Sequence, residues 1–313
     1  MFEYLIYRPF GFIINQIYGL VQNYGWAIIL FTVIVKLILL PLNIKSQKAM
    51  KKQQKIQPIL MELQRKYAND KEKLQTETMK VYQENNISMM GGCLPMLIQF
   101  PILIGLYNVI RSPIKYLLNV NFNAAENVEK AKAIVEAMKT QFPDEIAKYA
   151  NLDITQIIKN YQMQLANWSE KVGGEWRIDF NFFGLDLSRN PSDAFGPLMR
   201  GDFSDLALIA LLLIPVFAAF TTWLSMWQSQ RANKQTAKAD DSAAQMSQGM
   251  SMMMPLMTGF FAITLPGGLG IYWIAGNIFQ LAQQYFLDLY FKNKEDDFVV
   301  KVPEKNGKKR KKR

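Results

Sequence analysis

Trp26-Ala27-Ile28-Ile29-Leu30-Phe31-Thr32-Val33-Ile34-Val35-Lys36-Leu37-Ile38-Leu39-Leu40-Pro41-Leu42-Asn43-Ile44 decides how this chain is read: nineteen residues carrying one charge, Lys36, at the eleventh position. At about 1.5 Å per residue such a helix reaches about 28 Å, close to the roughly 30 Å hydrocarbon core of a bilayer. A lysine at the middle of a span costs about 2.5–3.5 kcal/mol on insertion scales. Snorkelling relieves only part of that. Roughly 12 Å of helix separates Lys36 from Ile44, and the lysine stem covers about half of it. No acidic residue lies in the central part of any other apolar stretch to pair with it. An unpaired cation at that depth implies a water-filled cavity beside it.

Four more stretches of this kind follow, Cys93 to Ile110, Leu206 to Leu224, Met250 to Leu265 and Leu269 to Leu287. Any one could be the core helix of a soluble protein; five in one chain argue for a polytopic membrane protein. The fourth is short, and with Pro266-Gly267-Gly268 after it, the last two stretches read as a tight helical hairpin.

Composition narrows the chemistry. The 313 residues are half apolar, with 36 Lys plus Arg against 26 Asp plus Glu, a formal charge of +10. There is no histidine, which removes imidazole bases, His-ligated metals and the Ser-His and Cys-His nucleophile arrangements. Cys93 is the only cysteine, so the chain has neither an internal disulfide nor a thiolate cluster. A conventional hydrolase or metalloenzyme is not expected, and neither is a cofactor.

Basic residues set the expected orientation. Residues 45–87 hold ten basic against five acidic side chains, residues 226–249 three against two, and the tail from Leu289 ten against four. These lie inside, and with five spans the N-terminus lies outside. The expected layout is an outer interfacial amphipathic helix (1–24), a first span (25–44), a cytosolic helical hairpin (45–87), a second span (88–111), an extracytoplasmic region (112–204), a third span (205–227), a cytosolic loop (228–249), fourth and fifth spans (250–265 and 269–288), and a basic cytosolic tail (289–313). The N-terminus has no basic run before its apolar residues and no small-residue cleavage site, so it does not read as a signal peptide.

Within residues 45–87, Ile56, Ile59, Leu60, Leu63 and Tyr67, then Leu74, Met79, Val81 and Tyr82, recur at helical spacing around a turn at Ala68-Asn69-Asp70. In the outer region, Asn123 to Gln141 and Asp153 to Trp168 each read as an amphipathic helix, and Trp176 to Leu187 as a short strand or extended cover. The acids there are scattered along helix faces and form no catalytic constellation.

Uncharged polar groups add to Lys36 at membrane depth: Gln99, Thr221, Thr222, Gln228, Asn277, Gln280, Gln283 and Gln284. Singly, such residues usually make interhelical hydrogen bonds; together they could line a hydrophilic groove. Pro95, Pro101, Pro215 and Pro255 interrupt four backbones, which suits bent helices around a cavity. One fixed cation with no acid partner suits an anionic or polar guest and not a cation channel.

These residues resemble the YidC/Oxa/Alb membrane-protein insertases. The resemblance starts with the basic residue at mid-span followed by Leu39-Leu40-Pro41-Leu42. It continues through Gln57-Pro58, Met90-Gly91-Gly92-Cys93-Leu94-Pro95-Met96-Leu97-Ile98-Gln99-Phe100-Pro101-Ile102 and Phe183-Gly184-Leu185-Asp186-Leu187-Ser188. It ends with Pro266-Gly267-Gly268-Leu269-Gly270-Ile271-Tyr272-Trp273 and Asn277. The motifs fall in order, leaving mainly residues 113–180 and the tail uncovered.

The resemblance implies five helices around a groove open to cytosol and lipid and closed toward the outside. Lys36, Trp273, Gln99, Thr222, Gln228 and Asn277 are the candidate lining residues, Gln99 being the one that could instead pack against a neighbouring helix. The family's groove charge is usually Arg; Lys36 keeps the charge without the planar fork. The expected clients are nascent membrane proteins, inserted alone or with the Sec translocon by a chaperone that breaks no bond and acts as a monomer. Lys308, Lys309, Arg310, Lys311, Lys312 and Arg313 suit either ribosomal RNA or anionic lipid. The lack of histidine, disulfides and an organelle presequence points to a bacterial plasma membrane. Two other readings stay open: a small-anion transporter, for which no internal repeat is found, and a packing scaffold in which Lys36 is dispensable.

Overall fold

The computed structural model describes residues 2–88, 94–231 and 242–293. It is mostly helical and divides into two compact units, one of Met1–Ile38, Gln99–Met226 and Ser251–Leu281, the other of Leu39–Ile98, Trp227–Met250 and Ala282–Arg313. Met90, Gly91, Gly92 and Cys93 of the quoted motif, and the basic tail residues 308–313, lie outside the described residues.

The chain opens with a short π-helix, Glu3–Tyr7, running into α1 (Arg8–Val21). α1 buries Gly11, Ile14 and Ile17 and exposes Phe12 and Leu20, the amphipathic pattern expected of it. It stops at Gln22, whose left-handed backbone turns the chain and returns its N–H to Tyr18 O.

α2 (Tyr24–Lys66) then runs unbroken for 43 residues through Pro41 and Pro58, so the apolar stretch and the first arm of the charged helical hairpin are one helix. The turn falls at residues 67–70 as the pattern predicts. Asp70 caps α3 (Lys71–Glu84) by accepting from the Lys73 N–H at 3.0 Å. Ile56 and Leu60 pack against Val81, Tyr82 and Ile87 to form this unit's own small core, and Gln53 Nε2 donates to Tyr82 Oη.

α4 (Leu94–Arg111) leads into the long region between the second and third apolar stretches: α5 (Pro113–Tyr116), α6 (Ala125–Gln141), α7 (Pro143–Ile146), α8 (Ile154–Asn160) and α9 (Gln162–Lys171), all in the first unit. The single helix expected over Asp153 to Trp168 is instead two. A capping box of Asp153 and Gln156 starts α8, the chain bends at Tyr161, and α9 restarts. The bend lets Ile157 from one piece and Met163, Leu165 and Trp168 from the other face one core, which a single straight stripe would not do. The stretch expected as a short strand forms a two-stranded hairpin, β1 (Asn181–Phe182) and β2 (Leu185–Asp186), in register Asn181 to Asp186 and Phe182 to Leu185.

α10 (Phe195–Met199) precedes α11 (Leu206–Ala210) and α12 (Leu213–Arg231); α13 (Ser242–Thr264) and α14 (Gly267–Asn293) complete the chain. Between α13 and α14 only Leu265 and Pro266 are non-helical, because Gly267 and Gly268 already belong to α14. Their N–H groups, without partners inside the helix, donate to Arg189 O at 3.0 Å and Leu187 O at 3.3 Å. Two helical stretches, Tyr24–Gln53 and Leu206–Ser229, are long and apolar enough to cross a membrane, and Leu97–Arg111 and Met253–Thr264 are shorter apolar helices.

Candidate functional site

Helix geometry fixes where Lys36 points. Trp26, Leu30, Ile34, Leu37 and Ile38 are exposed on α2, and at about 100° per residue they occupy roughly one third of its circumference. Thr32 and Lys36 fall on the far side of that helix. Thr32 is fully buried and donates to Ile28 O at 2.7 Å. One turn further, Lys36 is half-buried and lies against α14 at Gly276. A β-carbon built on Gly276 would sit 3.5 Å from Lys36 Cε, 3.9 Å from Lys36 Nζ and 3.8 Å from Thr32 Cγ2. The ammonium thus faces the protein and not the apolar stripe, and among the described residues it forms no ion pair.

The residue after Gly276 holds a second polar point. Asn277 Nδ2 donates to Thr221 Oγ1 at 3.1 Å and Thr222 Oγ1 at 2.8 Å on α12. Both hydroxyls are buried and spend their own protons on backbone carbonyls one turn back, Thr221 on Phe217 O and Thr222 on Ala218 O. Their lone pairs are therefore presented to Asn277, a fixed interhelical clamp.

Of the six residues expected to line a groove, Lys36, Gln99, Thr222, Trp273 and Asn277 fall in the first unit, and Gln228 falls in the other. Gln99 is held across to α14, its Nε2 donating to the buried Tyr272 hydroxyl. That bond ties α4 to α14. Trp273 is half-buried against the first unit's core. Gln284, another of the uncharged polar groups marked by the sequence, is engaged inside the second unit: it accepts from Gln47 Nε2 at 2.6 Å and donates to Asp288, which pairs with Lys51 at 3.1 Å. Among the described residues no group of three or more Cys, Asp or Glu side chains could hold a metal ion.

Thr32, Tyr272 and Gly276 were not singled out from sequence. Gly276 carried a readable signal, a small residue one position before Asn277 in a helix with many large apolar ones. Tyr272 carried none beyond its place in a motif.

The family model described as "60Kd inner membrane protein" matches residues 16–294 of this chain. The chain belongs to that family. Among relatives in the 60Kd inner membrane protein family, the "Membrane protein insertase YidC" of Caldanaerobacter subterraneus subsp. tengcongensis is 30% identical over 275 residues, 88% of this chain and 90% of the relative. The protein of that name from Clostridium perfringens is 29% identical over 288 residues, 92% of this chain and 88% of the relative. The "ALBINO3-like protein 1, chloroplastic" of Arabidopsis thaliana is 28% identical over 268 residues, 86% of this chain and 44% of that longer protein. The region matched to the 60Kd inner membrane protein family contains all six candidate residues and stops before the basic tail end, 308–313.

Proposed function

We propose that this chain is a membrane-protein insertase: it moves segments of nascent membrane proteins into the bilayer and breaks no covalent bond in doing so. The observation that carries the mechanism is Lys36, a cation within an apolar helix, turned away from that helix's apolar stripe and resting on a glycine with no ion-pair partner among the described residues. Carrying a polar or acidic segment across hydrocarbon is costly because backbone and charge lose their water. A groove that brings water and one positive charge partway in shortens the dry distance. Lys36 attracts the acidic tail of a client, and the client's apolar helix partitions sideways into lipid.

In this proposal α2, α4, α11 with α12, α13 and α14 supply five spans around a groove open to the cytosol, with Lys36, Trp273, Thr222 and Asn277 toward its interior. The N-terminus lies outside the plasma membrane and the basic tail inside, where it meets ribosomal RNA or anionic lipid; cooperation with the Sec translocon is part of the same reading. The relatives' printed names support insertion as the activity.

The test uses purified protein in liposomes and a single-span client with a short acidic tail, comparing the native chain with Lys36→Arg and Lys36→Ala. Insertion is retained by Arg and lost by Ala, with both variants folded. If Ala inserts as well as native, the charge has no part and a packing scaffold is the better description.

A further inference from the structure

The tip of the β1–β2 hairpin carries an unusual residue for its backbone. Its two turn residues, Phe183 and Gly184, have φ of +51° and +83°, the pattern of a type I′ turn, in which Asn-Gly or Asp-Gly is favoured. A bulky side chain at positive φ is strained, and Phe183 is also 81% exposed. In water this position would carry two penalties, offset only by edge-on ring contacts with Phe182 and Trp26.

The rest of the hairpin is seated firmly. The Phe182 ring lies over Gly25, where any β-carbon would overlap it. Asn23 Nδ2 donates to Asn181 O at 2.7 Å, Tyr24 N–H to Asp179 O at 3.0 Å, and Asp179 N–H to Tyr18 Oη at 2.8 Å. Phe183 is therefore aimed by a rigid mount and not by a loose loop. Trp26 meets both rings edge-on, at 5.6 Å to Phe182 and 6.2 Å to Phe183. Trp26 is also the first residue of the exposed stripe that continues down α2 through Leu30, Ile34, Leu37 and Ile38. The hairpin tip is thus the upper end of a surface whose lower part is the apolar flank of a membrane span.

From this continuity we infer that Phe183 and Trp26 form an anchor in the headgroup–acyl boundary of the outer leaflet, and that the anchor sets the depth of Lys36. Trp favours that boundary, and an exposed Phe beside it buries its ring on the apolar side of the same boundary. Ten residues of helix separate Trp26 from Lys36, about 15 Å, half of a roughly 30 Å hydrocarbon core. An aromatic fixed at the boundary therefore holds the ammonium at mid-depth. Phe183 is a positioning residue, acting through the placement of Lys36, and this second half of the inference rests on the insertase reading.

The first arm of the test does not depend on activity. Cys93→Ala removes the only cysteine, and Phe183→Cys then carries an environment-sensitive nitrobenzoxadiazole label in liposomes, with Thr155→Cys as an exposed control. The label at 183 is quenched by lipids bearing a shallow spin label and shielded from aqueous iodide, while the control shows the reverse. Quenching of position 183 by iodide, or by neither agent because protein covers it, overturns the anchor.

The second arm separates anchoring from folding. Phe183→Asn suits the turn better, so thermal stability is equal or higher, yet client insertion falls by about threefold or more as the boundary contact is lost. Phe183→Trp restores insertion. If Phe183→Asn inserts like the native chain, Phe183 does not position Lys36; if the native chain itself fails to insert, the insertase reading fails instead.

Discussion

Gly276 on α14 leaves room for the stem of Lys36 on α2: a β-carbon there would come within 3.5 Å of Lys36 Cε, an ordinary van der Waals contact, while anything longer would occupy the path of the side chain. Gly276→Ala is therefore tolerated. It keeps insertion within about twofold of native and gains roughly 0.5–1 kcal/mol of helix stability, as alanine does over glycine in a helix interior. Gly276→Leu displaces the lysine and lowers insertion toward the level of Lys36→Ala. Liposome insertion assays on the two variants, with thermal unfolding as the folding control, decide it; equal activity of both would show that Lys36 does not use this space.

Asn277 and Thr222 are coupled across α14 and α12 by a 2.8 Å hydrogen bond. A double-mutant cycle with Asn277→Ala and Thr222→Val should return a coupling of about 0.6–1.7 kcal/mol, the range for such bonds inside membranes. Thr222→Val alone also removes the bond to Ala218 O, so the cycle and not the single variant is the informative measurement. A coupling near zero would mean that water replaces the partner and the site is open to solvent.

Glu3 of the opening π-helix accepts from Lys115 on α5 at 2.9 Å, and this bond holds the Glu3 carboxyl below its usual range. Because the folded value is depressed, the contribution is present above the ordinary carboxylate pKa and is lost as pH falls through the lowered folded value. Both partners are partly exposed, so the effect is small and weakens in salt. Protection of the amides of residues 3–7, exchange taken relative to the intrinsic rate at each pH, should fall on acidification below about pH 4, where an ordinary glutamate protonates. Lys115→Ala should abolish that pH dependence.

Gly25 has no substitute in the seat it makes for the Phe182 ring. Gly25→Ala forces the ring or the helix to move, a clash of the overpacking kind that costs about 1–3 kcal/mol. The expected result is a lower unfolding temperature together with accelerated exchange in residues 179–187. A stability equal to native would show that the hairpin swings away freely.

The hairpin in residues 45–87 was legible because Ile56, Leu60, Val81 and Tyr82 recur at helical spacing on both sides of one polar turn, and local periodicity is enough to specify such a unit. The region between residues 112 and 204 was legible only in part. The bend at Tyr161 depends on what α8 and α9 pack against, and no local pattern records that.

Sequence alone determined that a charge sits within an apolar helix, because hydrocarbon thickness and helix rise turn a mostly apolar stretch of nineteen residues containing Lys36 into a membrane problem. It also determined the family, through motifs spread in order along the chain. Only the tertiary structure decided what the polar groups do. Gln99 and Tyr272 lie 173 positions apart and Asn277 and Thr222 lie 55 apart, and hydrogen bonds close each pair, while Lys36 meets a glycine. The physical reason is that a polar side chain at depth must find a partner or water, and which of the two it finds depends on the neighbouring helix and not on its own.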